Sequence, residues 1–183
     1  MNNPISFHDK ISLRFNNNYY KKKIFRERYA FLTNKCENLF KNNLKKNIKI
    51  LDYGCGSGIF SIPLSHYGSV TAVDGSENMI KIAKSKTKSI KNIKFKLLDL
   101  NSMEYFGNFS EHMEKLNNLL THNGTLLLSM PNSKGIYRLF ERIMFNVIKK
   151  PNYYRHVKTN KNEEYYKKVL IKKNFSISEI NYF

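Results

Sequence analysis

The sequence predicts an α/β fold, a doubly wound and mostly parallel sheet with helices on both faces. Two observations predict it: short apolar segments alternate with amphipathic helical segments, and a glycine-rich turn follows the first apolar segment. A chain of 183 residues is long enough for one domain and too short for two ordinary ones. We expect a single domain with a helical lead at residues 1–46, a core carrying the binding site at residues 47–132, and a helix-and-strand segment at residues 133–183.

The first half of the chain predicts three strands interleaved with helices. Over residues 19–44 apolar residues recur at intervals of three and four, which is typical of an amphipathic helix. Ser76 is placed to cap a later helix that carries Met79 on its apolar face. The elements predicted after the lead helix are a strand at 48–53, a helix at 59–66, a strand at 70–74, the Ser76-capped helix and a strand at 93–98.

The second half predicts further helices and two more strands. Ser110 is placed to cap a helix that Asn123 and Gly124 end in the left-handed manner. The elements predicted after it are a strand at 125–130, a helix at 134–149, a helix at 162–173 and a strand at 175–182.

The composition favours a soluble cytoplasmic protein. The formal charge is +18, but the lysines are spread along the chain, and this favours solvated faces over a built nucleic-acid patch. No apolar run approaches the roughly 18 residues that span a bilayer, and the N-terminus is polar, so we expect no membrane insertion. Cys36 and Cys55 lie in unrelated contexts and suggest neither a disulfide nor a metal site. The oligomeric state stays open.

The glycine-rich turn is the first candidate binding element. Gly54, Gly56 and Gly58 occupy alternate positions, where they let the backbone pass close to a ligand. A dinucleotide fingerprint would place its third glycine at the position of Ile59. Asp52 also argues against pyrophosphate, since a carboxylate repels phosphate but can reach the ammonium of an amino acid.

An acidic residue at the tip of the second predicted strand is the second candidate. Asp74 lies 22 positions after Asp52, and a carboxylate there can accept both hydroxyls of a ribose. Each signal alone is weak, because glycine turns and strand-end aspartates are widespread. In this order and spacing, the glycine turn and the strand-end aspartate together form a specific signal for a ligand site at this edge of the sheet.

These residues resemble the motifs of class I S-adenosylmethionine-dependent methyltransferases. The segment at 50–58 resembles the first motif, Val73 to Ser76 with Met79 the second, and Leu98 to Leu100 the third, whose acid contacts adenine; residues 123–128 are similar to the fifth strand and its preceding turn. The resemblance implies a Rossmann-like fold and S-adenosyl-L-methionine as cofactor, and we expect no metal site. The cofactor-binding residues that it implies are Asp52, Gly54, Cys55, Gly56, Gly58, Asp74, Gly75, Met79, Asp99 and Leu100.

The chain departs from the family between its third motif and the next helix. Only residues 100–109 stand where the family has a loop, a helix and its fourth strand. We therefore expect a sheet shortened relative to the usual seven strands. In the family the fourth strand pairs with the first, so the segment at 93–99 could move into the central place, and Asp99 would then no longer reach adenine.

The resemblance implies methyl transfer to a small-molecule acceptor such as a sugar, a quinone precursor or another metabolite. Two alternatives stay open: a truncated, non-catalytic protein that binds S-adenosylmethionine, favoured by the missing segment, and an RNA methyltransferase, favoured by the charge. No catalytic residue is assigned. Tyr19, Tyr20 and Arg28 could touch the donor or merely pack a helix, and surface or capping roles are expected for the candidate bases His8, His112, His122 and His156.

Overall fold

The computed structural model of the chain describes residues 12–13, 16–41, 48–98, 108–130, 133–150 and 161–182. The chain divides into two compact units, residues 1–100 and residues 101–182. In the described parts of the chain, no helix is both long and apolar enough to cross a membrane.

A three-stranded parallel sheet is the centre of the first unit. The strands are β1 (Ile48–Tyr53), β2 (Gly68–Asp74) and β3 (Ile93–Leu97), in the order β1-β2-β3. Ile50 pairs with Val70, and Val70 in turn pairs with Ile93. The three strands that local patterning predicts here are confirmed. The suggestion that the third strand moves beside β1 is wrong, because its pairing partner is β2.

The helices of the first unit follow the predicted order with shorter bounds. They are α1 (Lys23–Lys41), α2 (Ser61–Leu64) and α3 (Glu77–Lys86), and residues 16–21 are also helical. Ser76 caps α3 as predicted, since its hydroxyl accepts a hydrogen bond from the Met79 N–H at 3.2 Å. The predicted helix at 59–66 shrinks to four residues because Gly58 has a positive φ and the chain beyond Leu64 turns through i to i−3 hydrogen bonds.

The core of the first unit lies between the sheet and its helices. Val70 and Ala72 of β2 and Ile80 of α3 are buried there, together with Cys55 and Ile93. Full burial of a valine or isoleucine side chain contributes about 1.5–3 kcal/mol to the stability of the folded state. The core therefore fixes the carboxyl ends of β1 and β2 against the start of α3.

The second unit is built from helices among its described residues. These are α4 (Phe109–Leu119), α5 (Ile136–Ile148) and α6 (Glu163–Lys172). Phe109 is fully buried and packs edge-on against Tyr166, with 5.0 Å between ring centroids. Glu114 of α4 forms an ion pair with Lys173, just beyond α6.

Two sequence predictions about α4 need correction. The cap is Asn108 rather than Ser110: its side-chain oxygen accepts from the Glu111 N–H at 3.3 Å, which starts the helix at Phe109 and buries that ring. The helix ends at Leu119, before the predicted glycine stop. Asn123 does adopt the left-handed conformation, with a φ of 61°, but as part of a separate turn.

The strands predicted at 125–130 and 175–182 are wrong. Neither segment forms a strand, and within the described residues the sheet consists of β1, β2 and β3. A strand needs a neighbour in register to satisfy its backbone groups. Neither segment has such a neighbour among the described residues, so the apolar pattern at 125–130 is not sufficient to form a strand.

Candidate functional site

The glycine loop, residues 54–58, joins the carboxyl end of β1 to α2. Gly54, Gly56 and Gly58 have φ values of +80°, +52° and +76°, a region that strains side-chain-bearing residues. The N–H groups of Gly54 and Cys55 both donate to the carbonyl of Val73, at 2.9 and 3.0 Å. These bonds hold the loop at the carboxyl end of β2.

The three glycines differ in their surroundings. A Cβ added to Gly54 or Gly56 would meet no other atom within 4 Å, whereas one on Gly58 would lie 3.1 Å from the Ala83 Cβ. Gly58 therefore lets α3 pack closely against the loop. Gly54 and Gly56 leave open space over the backbone, which is what a ligand lying against the loop requires.

Asp74 connects the loop to the second strand. One carboxylate oxygen accepts from the Gly56 N–H and the other from the Ser76 N–H, both at 2.8 Å. A carboxylate has about four acceptor positions, so each oxygen can still accept a hydroxyl. The structure thus brings the two predicted motifs into direct contact.

Asp52 supplies a second carboxylate at the same edge of the sheet. Its Oδ2 accepts a hydrogen bond from the Ser61 hydroxyl at 2.6 Å. Burial raises the pKa of Asp52, and the charge of Asp74 raises it further, while the Ser61 hydrogen bond opposes them. A cationic ligand group beside Asp52 would relieve this penalty, and a phosphate would increase it.

The other predicted site residues lie around these two carboxylates or in the core beneath them. Cys55 is buried in the core, where burial raises the pKa of its thiol. Met79 is buried, and Gly75 is partly exposed at the strand tip. Asp99 and Leu100 lie outside the described residues; the preceding residue, Leu98, donates its N–H to the Asp74 carbonyl at 3.0 Å.

A polar cluster that sequence reasoning missed joins the glycine loop to the lead and to α3. The Ser57 hydroxyl donates to the Asn16 side-chain oxygen at 2.8 Å, and the Lys86 ammonium donates to the same oxygen. Lys86 also donates to the Ser57 carbonyl at 3.3 Å and to the Ser57 hydroxyl at 3.4 Å. Ser57 is inside a recognisable motif, but Asn16 and Lys86 carry no sequence signal, since 70 positions separate them.

Aromatic residues of the lead pack beside the loop. Tyr19 contacts Phe25 and Phe60 edge-on at centroid distances of 5.0 and 6.0 Å, and Tyr29 stacks on Phe60 at 5.6 Å. Burial raises the pKa of Tyr19; the charge of Arg28 opposes the rise and that of Asp52 adds to it. Tyr19 therefore lies within electrostatic reach of the buried carboxylate.

Comparison with known proteins identifies the family. A model of the methyltransferase domain matches residues 44–177, which is most of the chain. The chain belongs to the class I S-adenosylmethionine-dependent methyltransferases. A demethylmenaquinone methyltransferase of Staphylococcus aureus is 44% identical over 55 residues, which are 28% of this chain and 23% of that protein. The match thus spans less than a quarter of the curated relative.

Solved structures share the fold of this methyltransferase-family chain. A methyltransferase from Thermotoga maritima superposes with a TM-score of 0.64 at 14% identity, covering 96% of this chain and 82% of that one. The YcgJ protein from Bacillus subtilis gives a TM-score of 0.60 at 15% identity, covering 81% of this chain and 68% of that one. The predicted fold class, an α/β sheet shortened relative to the family, is confirmed.

Two more residues of the lead are candidate donor contacts from the sequence, and four histidines are candidate bases. Tyr20 is exposed and lies beneath the Lys86 ammonium at 5.9 Å from its ring centroid. The Arg28 Nε is buried and finds no hydrogen-bond partner in the structure described. His112 contacts the Asn108 carbonyl at 2.9 Å and His122 is exposed, both in the second unit, while His8 and His156 lie outside the described residues.

A groove of about 200 Å³ lies between α1 and α2 of the methyltransferase fold. Phe60 lines it and also contacts Tyr19, so the groove adjoins the aromatic residues of the lead. Cys36 lines it too, and the pKa of its thiol is raised by burial and by the charge of Asp52. The groove is therefore within electrostatic reach of the acidic edge of the sheet.

Proposed function

We propose that this chain binds S-adenosyl-L-methionine at the carboxyl edge of the sheet and transfers its methyl group to a small-molecule acceptor. The observation that carries the proposal is the direct contact between the two motifs, in which Asp74 accepts from the Gly56 N–H at 2.8 Å. Family membership supports the reaction class.

The site fits the donor in shape and charge. The open space over Gly54 and Gly56 would take the methionine part, with Asp52 toward its ammonium. The remaining lone pairs of Asp74 would accept the ribose hydroxyls. The predicted adenine contacts through Met79, Asp99 and Leu100 belong to the same proposal.

The reaction needs positioning more than it needs side-chain chemistry. The donor supplies an electrophilic methyl group on a sulfonium, and an acceptor lone pair displaces it in line. The chain's contribution is to hold the donor in one orientation, which lowers the entropic part of the barrier. The two carboxylates also favour the cationic donor over the product, which carries one positive charge fewer. We assign no catalytic base.

A small acceptor is favoured by the groove between α1 and α2. Its aromatic lining, with Tyr29, Phe60 and Tyr67, and its volume of about 200 Å³ suit a single planar ring or a molecule of similar size. The Staphylococcus aureus relative acts on demethylmenaquinone by its name, which supports an acceptor of the quinone-precursor type.

A non-catalytic donor-binding protein is the second candidate. The observation that favours it is the three-stranded sheet, since the segments at 124–130 and 175–182 do not extend it. A protein of this kind would keep the donor site on β1 and β2 and transfer no methyl group.

Transfer of radioactive methyl groups separates these functions. The purified chain is incubated with methyl-labelled donor and a metabolite extract, and the label is followed into small molecules. Label in a discrete small molecule that Asp74→Ala abolishes supports the proposal. Donor binding without any transfer supports the non-catalytic protein, and label in RNA, with binding that weakens steeply as salt rises, supports an RNA substrate.

A further inference from the structure

We propose that Lys86 is a positioning residue that fastens the helical lead segment, residues 16–21, onto the glycine loop, so that docking of this segment and donor binding stabilise each other. The inference rests on the donor-binding function proposed above and assigns a role to residues outside the family motifs.

The Lys86 ammonium joins three parts of the chain. Its N–H groups reach the Asn16 side-chain oxygen, and the Ser57 carbonyl and hydroxyl at 3.3 and 3.4 Å. An ammonium has three donors, and these three acceptors match that number. The Ser57 hydroxyl also donates to Asn16 at 2.8 Å, so the cluster forms a closed set of contacts.

The contacts act on the part of the loop that faces the donor. Ser57 lies between Gly56 and Gly58, both of which have a positive φ and little conformational restraint of their own. Asp74 holds this stretch through the Gly56 N–H, and Lys86 holds it through the next residue's carbonyl. Removal of either contact leaves the loop with fewer restraints, among them the bond from the Gly58 N–H to the Cys55 carbonyl at 3.0 Å.

The cluster is enclosed rather than solvated. Asn16 and Ser57 are 9% and 3% exposed, and Lys86 is half-buried. Burial lowers the pKa of Lys86, because its ammonium gives up water for neutral oxygens. Contacts to a partly desolvated ammonium are stronger than contacts made in bulk water.

Lys86 also contacts the lead segment directly. Its ammonium lies 5.9 Å from the centroid of the Tyr20 ring, and Tyr19 beside it packs against Phe60. The lead segment is therefore held at both ends: Asn16 contacts the loop residue Ser57, while Tyr19 and Tyr20 contact Phe60 and Lys86 beside the loop. A donor bound over the loop would order it and would thereby favour the docked lead, so the coupling would be reciprocal.

The test compares Lys86→Met with Lys84→Met. Lys84 lies on the same helix and is exposed, so both variants remove one charge from α3. Binding of S-adenosylhomocysteine is measured by calorimetry, and hydrogen exchange of residues 16–22 and 54–60 is measured by mass spectrometry with and without this ligand.

The expected result is loss of coupling in one variant only. Lys86→Met weakens binding about tenfold, the effect of losing one charged hydrogen bond, and abolishes ligand-dependent protection of residues 16–22. Lys84→Met keeps the wild-type affinity and the ligand-dependent protection of residues 16–22. Lys86→Arg, which retains a donor, recovers part of the protection. Asn16→Ala reproduces the loss with the lysine intact, which covers the case in which Lys86→Met does not fold.

The failure of this inference differs from the failure of the proposed function. If the wild-type chain does not bind the ligand, the proposed donor site is wrong. Faster hydrogen exchange of both segments in Lys86→Met than in Lys84→Met would still show that Lys86 fastens the lead segment to the loop. If Lys86→Met and Asn16→Ala both match Lys84→Met in affinity and in hydrogen exchange, the proposed role of Lys86 is overturned.

Discussion

The carboxylate of Asp74 accepts a hydrogen bond from the Gly56 N–H at 2.8 Å, across 18 positions of sequence. This contact joins the glycine turn and the strand-end acid, two separate sequence features, in one candidate site. Gly56 makes this contact in the left-handed conformation, at a φ of +52°.

Alanine at two of the loop glycines is expected to have different effects. Gly56→Ala and Gly58→Ala both force a side chain into the left-handed region, at a cost of about 1–2 kcal/mol. Gly58→Ala also brings its Cβ to 3.1 Å from Ala83, so it lowers the free energy of unfolding further. Gly56→Ala places its Cβ in open space, where it weakens binding of S-adenosylhomocysteine instead.

Urea denaturation and calorimetric titration of the two glycine variants measure these effects. An equal loss of stability in both, with unchanged affinity in Gly56→Ala, would contradict the division between a packing glycine and a ligand-facing glycine.

Asp52→Asn is expected to make the chain more stable at neutral pH. Burial raises the folded-state pKa of Asp52 above its unfolded value of about 3.9. The folded state then binds more protons than the unfolded state between the two pKa values, so the contribution of Asp52 to stability is present below about pH 3.9 and is lost as the pH rises through the folded pKa. An asparagine does not ionise and keeps its stability across this range.

Urea midpoints of the wild-type chain and Asp52→Asn, measured from acid to neutral pH, test the sign. The stability advantage of the variant should shrink as the pH falls. An advantage that stays constant with pH would mean that the buried carboxylate is not its source.

Phe109→Ala is expected to destabilise the second unit strongly. The Phe109 ring is fully buried against Tyr166, and truncation of such a ring costs about 3–5 kcal/mol. Leu119→Ala, on the same helix, removes a side chain that is 67% exposed and serves as the matched control. Similar denaturation curves for the two variants would show that α4 and α6 do not share a core.

Local pattern was sufficient for the elements that hold the site. The bounds predicted for β1, 48–53, agree with the structure, and Ser76 caps α3 as predicted, because apolar periodicity and capping depend on neighbouring residues. The strands predicted at 125–130 and 175–182 are wrong, because a strand forms only where a partner strand pairs with it, and local pattern does not report that pairing.

The candidate site could be predicted only where motifs carry it. Asp52, Asp74 and the loop glycines could be placed together from their spacing, but Lys86 looks like any other surface lysine of a strongly basic chain. Its contact with Asn16 spans 70 positions and follows from the fold alone.

Calorimetric titration with S-adenosylhomocysteine tests the central claim most directly. The wild-type chain is expected to bind with micromolar affinity. Asp74→Ala loses its hydrogen bonds to Gly56 and Ser76 and the contact proposed to the ribose, so it is expected to bind at least about tenfold more weakly. Circular dichroism of both proteins controls for folding. No binding by a folded wild-type chain, or equal binding by Asp74→Ala, would contradict a donor site at this edge of the sheet.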